Sequence, residues 1–398
     1  MTRPLPLEGI RIIAVEQYGA GPFGSMYLAD LGAEVIKIEP PHTGGDISRQ
    51  TGPYFLGEND SHFFQTFNRN KKSVTLNLKS TEGRDIFERL VASADAVMNN
   101  LRGDQPAKLG LDYASLKKVN PRIVCAHLSA YGRDNTRADW PGYDYLMQAE
   151  AGFMGLTGEP GAEPARFGLS MVDFMTGVTC AAGLIAGLLG AARHGRGRDV
   201  DVSLFDVAVQ QLTYPATWYL NEGHRTERQP RSAHPSTVPC QLYTSADGWV
   251  FVMAMTEKFW RQLAEGLQRP DLLEDPRFKD VTARREHRGE LQTELDAAFA
   301  ARSTEDWVGH FAGKLPIAPV YQLDQALRNR YLEEIGMLQH LPHPEREDFR
   351  VLANPIRLDG QRLAGSVCSA LGADTESLLG TLGFSAADIE ALRYDGAI

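Results

Sequence analysis

Short apolar runs alternate with amphipathic stretches as far as Leu204. Ile10 to Val15, Val35 to Glu39, Ser73 to Leu78, Ala96 to Met98, Ile123 to Leu128 and Asp199 to Leu204 read as strands. A helix is predicted from about Pro22 to Leu31, and Ile86, Leu90 and Val91 at helical spacing predict another after Ser80. Strands alternating with helices of this length indicate βαβ units, hence a Rossmann-like α/β large domain built on a mostly parallel sheet. The charged stretch from Asn221 to Arg231 reads as a linker. Past it, strands at Trp249 to Met255 and Pro319 to Tyr321 frame helical patterns at Lys258 to Leu267 and Glu286 to Phe299, a smaller α/β domain. A last helix is predicted near Ala386 to Arg393.

One stretch departs from this pattern. No charge occurs from Phe174 to Ala192, and Gly183 and Gly187 form the G-x-x-x-G of packed membrane helices. Its residues are mainly Ala, Gly, Thr and Cys, which gain little from hydrocarbon, so a central core helix is expected and no membrane span.

Composition narrows the function. Among 398 residues, 43% are hydrophobic, enough for a full core. The 41 Lys and Arg against 51 Asp and Glu give a net charge of −10, which argues against nucleic acid. Cys125, Cys180, Cys240 and Cys368 are widely spaced and no H-E-x-x-H pair occurs, so neither disulfides nor a metal are expected. The run after Met1-Thr2-Arg3-Pro4 is too short for a signal peptide, and a cytoplasmic location is expected.

Gly19-Ala20-Gly21-Pro22-Phe23-Gly24 matches the G-x-G-x-x-G of dinucleotide sites, with Glu39 closing the next strand. Glu16, Gln17 and Tyr18 separate strand from glycines, and Pro22 removes an N–H, so an NAD(P)-dependent oxidoreductase is a remote alternative. Arg49, Asn68-Arg69-Asn70-Lys71-Lys72, Arg102 and Lys108 fall near strand ends and suggest an anionic ligand.

Taken in order, these segments resemble the class III CoA-transferases of the CaiB–BaiF group. The resemblance runs through Pro6-Leu7-Glu8-Gly9-Ile10, Leu31-Gly32-Ala33-Glu34-Val35, Gly45-Asp46 with Arg49, Asn68 to Ser73, Pro141-Gly142-Tyr143-Asp144 with Gln148, Asp275-Pro276-Arg277-Phe278 and Leu371-Gly372. It implies an interlocked-ring homodimer. Its domain plan is 1–220 as large domain, 221–330 as linker and small domain, and 331–398 returning to the large domain. By motif position the nucleophile is Asp173, whose alternative reading is a helix N-cap; the positive end of its helix would keep it ionised. The implied chemistry passes CoA from an acyl-CoA donor to a carboxylic acid through an aspartyl anhydride and an aspartyl-CoA thioester. CoA is thus a substrate and not a resident cofactor. The implied CoA contacts are Tyr18, Gly19, Ala20, Asn70, Lys71, Asn100, Leu101, Lys108 and Tyr131. Tyr143 and Gln148, with His234 and Ser236 where relatives carry a glycine-rich lid, are the expected acyl pocket. These polar groups favour a small polar carboxylic or dicarboxylic acid, with succinyl-CoA as donor. The same fold hosts α-methylacyl-CoA racemases, the nearer alternative; Tyr143 occupies the position of their histidine base, and a tyrosine titrating near 10 is a poor base at neutral pH.

Overall fold

The structure is a computed structural model that describes residues 3–398; Met1 and Thr2, the start of the segment read for a signal peptide, lie outside them. The chain divides into two compact units. One comprises residues 1–151, 168–211 and 330–398, the other residues 152–167 and 212–329.

The first unit is built on six parallel strands, β1 (Arg11–Val15), β2 (Glu34–Glu39), β3 (Lys71–Thr75), β4 (Ala96–Asn99), β5 (Val124–Ser129) and β6 (Arg198–Ser203), in the order β3-β2-β1-β4-β5-β6. Helices α1 (Ala20–Asp30), α2 (His62–Asn68) and α3 (Thr81–Ala92) follow the first strands. The core on the α3 side gathers Ile13, Ile36, Val74, Ile86, Phe87, Leu90 and Val97, all buried. Strand β3 starts two residues before its predicted run, because Lys71 is itself buried in the sheet.

The uncharged stretch forms one helix, Met171–His194, packed on β5, β6 and α1. It is core on one face only. Val178, Ile185 and Leu189, spaced along the opposite face, are 40%, 37% and 51% exposed. The helix is long and apolar enough to cross a membrane by composition, yet its inner face is committed to the sheet.

In the second unit, β7 (Cys240–Thr244), β8 (Trp249–Met253) and β9 (Ile317–Pro319) form an antiparallel sheet, covered by helices Glu257–Gly266, Arg288–Phe299 and Thr304–Phe311 around Trp260, Phe278, Phe299 and Trp307. This unit starts at Leu212, inside the stretch expected to end the large domain, and it recruits Gly152–Phe167 from far upstream. The expected linker begins in a helix, Thr213–Glu222.

Candidate active site

The strand order reverses between β1 and β4. Loops leaving the two strands diverge there, the place where open parallel sheets bind ligands. A cavity of about 200 Å³ opens at this point, lined by Tyr18, Gly19 and Ala20 after β1, Asn100 and Leu101 after β4, and Asp173 and Tyr143 from the sides. Seven of the residues expected from the sequence therefore converge. The volume suits the reacting end of a ligand more than a whole nucleotide carrier.

The floor is rigid for traceable reasons. Asn100 exchanges two hydrogen bonds with Gln17: its Nδ2 donates to the Gln17 carbonyl at 2.7 Å, and the Gln17 N–H donates to its Oδ1 at 2.9 Å. Tyr18 holds a left-handed φ of 71° and donates its N–H to Asp46 Oδ1 at 3.0 Å. Beneath it lies a buried ionic cluster. Lys37 pairs with Asp46 at 2.8 Å, Lys71 with Glu16 at 2.8 Å, and Arg49 with Glu39 at 2.7 Å.

The glycines of the G-x-G-x-x-G segment are each filled against by protein. A Cβ on Gly19 would lie 3.2 Å from Asp173 Oδ2, and one on Gly21 2.8 Å from the Asn100 Cβ. One on Gly24 would lie 2.4 Å from the Gly177 carbonyl oxygen. Gly24 lets α1 and the Asp173 helix meet backbone to backbone and Gly21 admits the Asn100 side chain, both packing roles, while Gly19 faces Asp173 at the cavity.

Asp173 stands in the first turn of its helix; Ser170 holds the N-cap position, so Asp173 is not the cap. Its own N–H donates to Asp144 Oδ2 at 3.0 Å, and Asp144 Oδ1 accepts from Gln148 Nε2 at 2.6 Å. Asp144 and Gln148 are buried. Burial, then the like charge of Asp144, push the Asp173 carboxyl up to about 7. The ionisation expected from the helix end is thus overridden: no cation pairs with it among the described residues, and desolvation acts on the charged form directly. A buried carboxylate titrating near neutrality at a cleft is a nucleophile or proton carrier in waiting.

The remaining expected residues lie elsewhere. Lys71 is fully enclosed, its ammonium donating to Glu16, the Pro22 carbonyl and Asn68, so no donor remains for a phosphate. Asn70 binds Asp30 and Ser366. Arg49 and Arg69 are likewise buried on Glu39 and Asp30. The basic cluster read as anion-binding is thus mostly structural, and only Arg102 lines the cavity. Lys108 is exposed and shares Asp104 with Arg102. Tyr131 turns its hydroxyl to Glu150 at 2.8 Å and does not line the cavity. Gln148 acts behind Asp144. His234 and Ser236 belong to the second unit, where His234 Nδ1 accepts the N–H groups of Ser236 and Thr237. Sequence reasoning does not single out Asp144, the Gln17 amide lock or Trp140 at the rim; the acid in Tyr143-Asp144, opening a helix, is the available signal for the first. Among the described residues no cluster of His, Cys, Asp and Glu could hold a metal.

Comparison with known proteins gives a consistent answer. The profile of CoA-transferase family III matches residues 7–375. A succinyl-CoA:glutarate CoA-transferase of Mus musculus is 32% identical, spanning 99% of this chain and 88% of the relative. A succinyl-CoA:mesaconate CoA-transferase of Haloarcula marismortui is 31% identical over 88% of this chain and 90% of its own length. Among solved structures, a CaiB/BaiF family protein from Brucella suis superposes with a TM-score of 0.83 at 30% identity, covering 96% of this chain and all of that one.

Proposed function

The chain belongs to CoA-transferase family III and is a class III acyl-CoA:carboxylate CoA-transferase, and from that premise we propose that Asp173 carries the transfer as a covalent nucleophile between dicarboxylic acids, with succinyl-CoA as donor. The carrying observation is a carboxylate poised near neutrality, without a counter-ion among the described residues, at the switch point of the sheet. An Asp173 oxygen attacks the acyl carbonyl of the donor, the C–S bond breaks, and CoA thiolate leaves an aspartyl–acyl anhydride. The thiolate then attacks the aspartyl carbonyl, the anhydride C–O bond breaks, and the donor acid departs, leaving an aspartyl-CoA thioester. An acceptor carboxylate reverses both steps, with no net proton uptake. Gly19, whose missing side chain would meet Asp173 Oδ2, keeps that carboxylate uncrowded, and the N–H groups of Ala20 and Gly21 at the start of α1 are our candidates for the oxyanion donors.

The names of the relatives support succinyl-CoA and a dicarboxylate acceptor. Incubation with succinyl-CoA and a panel of acids, with mass spectrometry of products and of the Asp173 peptide, tests the reading. A new thioester with a CoA adduct on that peptide is expected. Transfer without any adduct would remove Asp173 from the mechanism, and deuterium exchange into a 2-methylacyl-CoA in place of transfer would restore the racemase reading.

We further propose a homodimer that covers the apolar stripe of Val178, Ile185 and Leu189. That stripe lies on a helix whose other face is fixed to the sheet, so a protein surface suits it better than lipid. Sedimentation should give twice the chain mass of 43.9 kDa, and Leu189→Glu should lower it; a monomeric wild type sinks the proposal.

A further inference from the structure

Most arginines that this fold withdraws from solvent have either a carboxylate or a set of carbonyls to meet. Arg49 has Glu39, Arg69 has Asp30, and in the second unit Arg284 has Glu257 and Arg231 has Asp296, while Arg228 and Arg362 spend their donors on backbone carbonyls. Half-buried Arg288 leaves one arm with neither. It opens the helix Arg288–Phe299, and its Nη2 donates to the His234 carbonyl at 2.9 Å. Its Nη1 is buried and has no hydrogen-bond partner. The groups around it are Tyr243 and Cys240, both buried and both pushed upward by that burial, hence neutral, and a second cation, Arg285. No carboxylate pairs with it among the described residues. Burial draws the guanidinium below its ordinary value, as an uncompensated cation requires.

Holding one carbonyl does not need a charge. A glutamine would donate to His234 O without the desolvation that a half-buried, unpaired guanidinium suffers. What the guanidinium adds is a planar fork with a free arm, the shape that meets two oxygens at once. The neighbouring loop is already set to hold still. Arg231 and Ser232 both adopt left-handed φ, 57° and 52°, and His234 is tied through its N–H to the Cys240 carbonyl at 2.9 Å.

We propose that Arg288 is a carboxylate-binding residue of the second unit, whose free Nη1 receives the charged end of a dicarboxylic acid or of an acyl group bearing a second carboxylate. The proposal rests on the transferase reading only for naming the anion.

The test titrates the intact protein with glutarate and with uncharged glutaramide by calorimetry, and measures KM for succinyl-CoA and acetyl-CoA. Arg288→Gln, which keeps a donor for His234 O, is expected to weaken glutarate at least about tenfold, or to raise KM for succinyl-CoA by a similar factor with acetyl-CoA unchanged. A shift in the first alone assigns the free acid as the ligand, and a shift in the second alone assigns the acyl group. If neither moves, or if wild type does not distinguish glutarate from glutaramide, the proposal is overturned and Arg288 only pins a loop. Should Arg288→Gln melt early, Arg288→Lys decides: several-fold weaker glutarate binding is expected from loss of the fork, and binding equal to wild type overturns the proposal. Glutarate binding that Arg288→Gln weakens, in a protein that shows no CoA adduct, would sink the covalent reading while leaving Arg288 assigned.

Discussion

Asp173→Asn is expected to lose CoA transfer by at least about a thousandfold while becoming the more heat-stable protein. The first half follows from chemistry: a carboxamide cannot form the anhydride, so no CoA adduct should appear on its peptide. The second follows from burial. The carboxyl titrates at about 7 in the folded chain against an ordinary 3.8, so the folded state binds this proton more tightly than the unfolded one. Ionised Asp173 therefore opposes folding above pH 7, by an amount on the order of 2–4 kcal/mol. That opposition fades as pH falls from about 7 towards 3.8. Thermal melts should show the advantage of the variant, written as Asp173→Asn minus wild type, at several degrees near pH 8 and close to zero at pH 4. A variant less stable than wild type at pH 8 would contradict the electrostatics described for the site. In wild type, the same titration predicts that kcat/KM falls below pH 7 along a one-proton limb. Asp144→Asn, whose amide oxygen can still accept the Asp173 N–H, should move that limb to lower pH.

Lys71→Ala should cost about 3–5 kcal/mol of stability, because it leaves the Glu16 carboxylate buried without its cation. The same loss frees the loop carrying Gln17 and Tyr18, so activity of the folded fraction should fall as well. A lysine that met CoA phosphates would behave otherwise, raising KM for acyl-CoA with an unchanged melting temperature. Arg102→Ala, itself exposed at the cavity rim and sharing its partner Asp104 with Lys108, is the internal contrast: its melting temperature should hold while KM rises. Paired melts and KM values separate the two behaviours.

Asp173 and Lys71 show what can be read from the chain and what cannot. The strands β1 and β5 are mostly apolar runs, the mark of a sheet covered on both faces, and the sequence shows them plainly; β2, with Lys37 and Glu39 buried among its apolar residues, is read from Val35, Ile36 and Ile38. Asp173 follows from motif position and lies at the switch point. Lys71 misleads because a lysine next to another lysine reads as solvent-facing; its burial depends on Glu16, fifty-five positions earlier, which no local pattern reveals. Strand β7 escapes a sequence reading for a related reason. Cys240-Gln241-Leu242 carries a buried Gln241 where the period-two pattern wants an apolar residue. The boundary at Leu212 and the recruitment of Gly152–Phe167 are decided by packing between distant segments. The direction of ionisation at Asp173 is equally hidden, since helix position is local while desolvation and Asp144 are tertiary.

The contact of Gly24 with Gly177 separates what can drift from what cannot. Asp173 is one turn from Gly177, and Gly19 is at the start of the helix that holds Gly24, so reacting carboxylate and crevice floor share one fixed reference. Tyr143 and Trp140, by contrast, stand 68% and 47% exposed at the rim, where exchange of a side chain disturbs little packing. Lineages of such a protein can therefore explore new acids by trading rim residues, one at a time, without re-registering the chemistry. Engineering of acceptor range has the same route open to it: a library confined to the rim should retain folded, chemically competent members at a far higher frequency than one that touches either glycine.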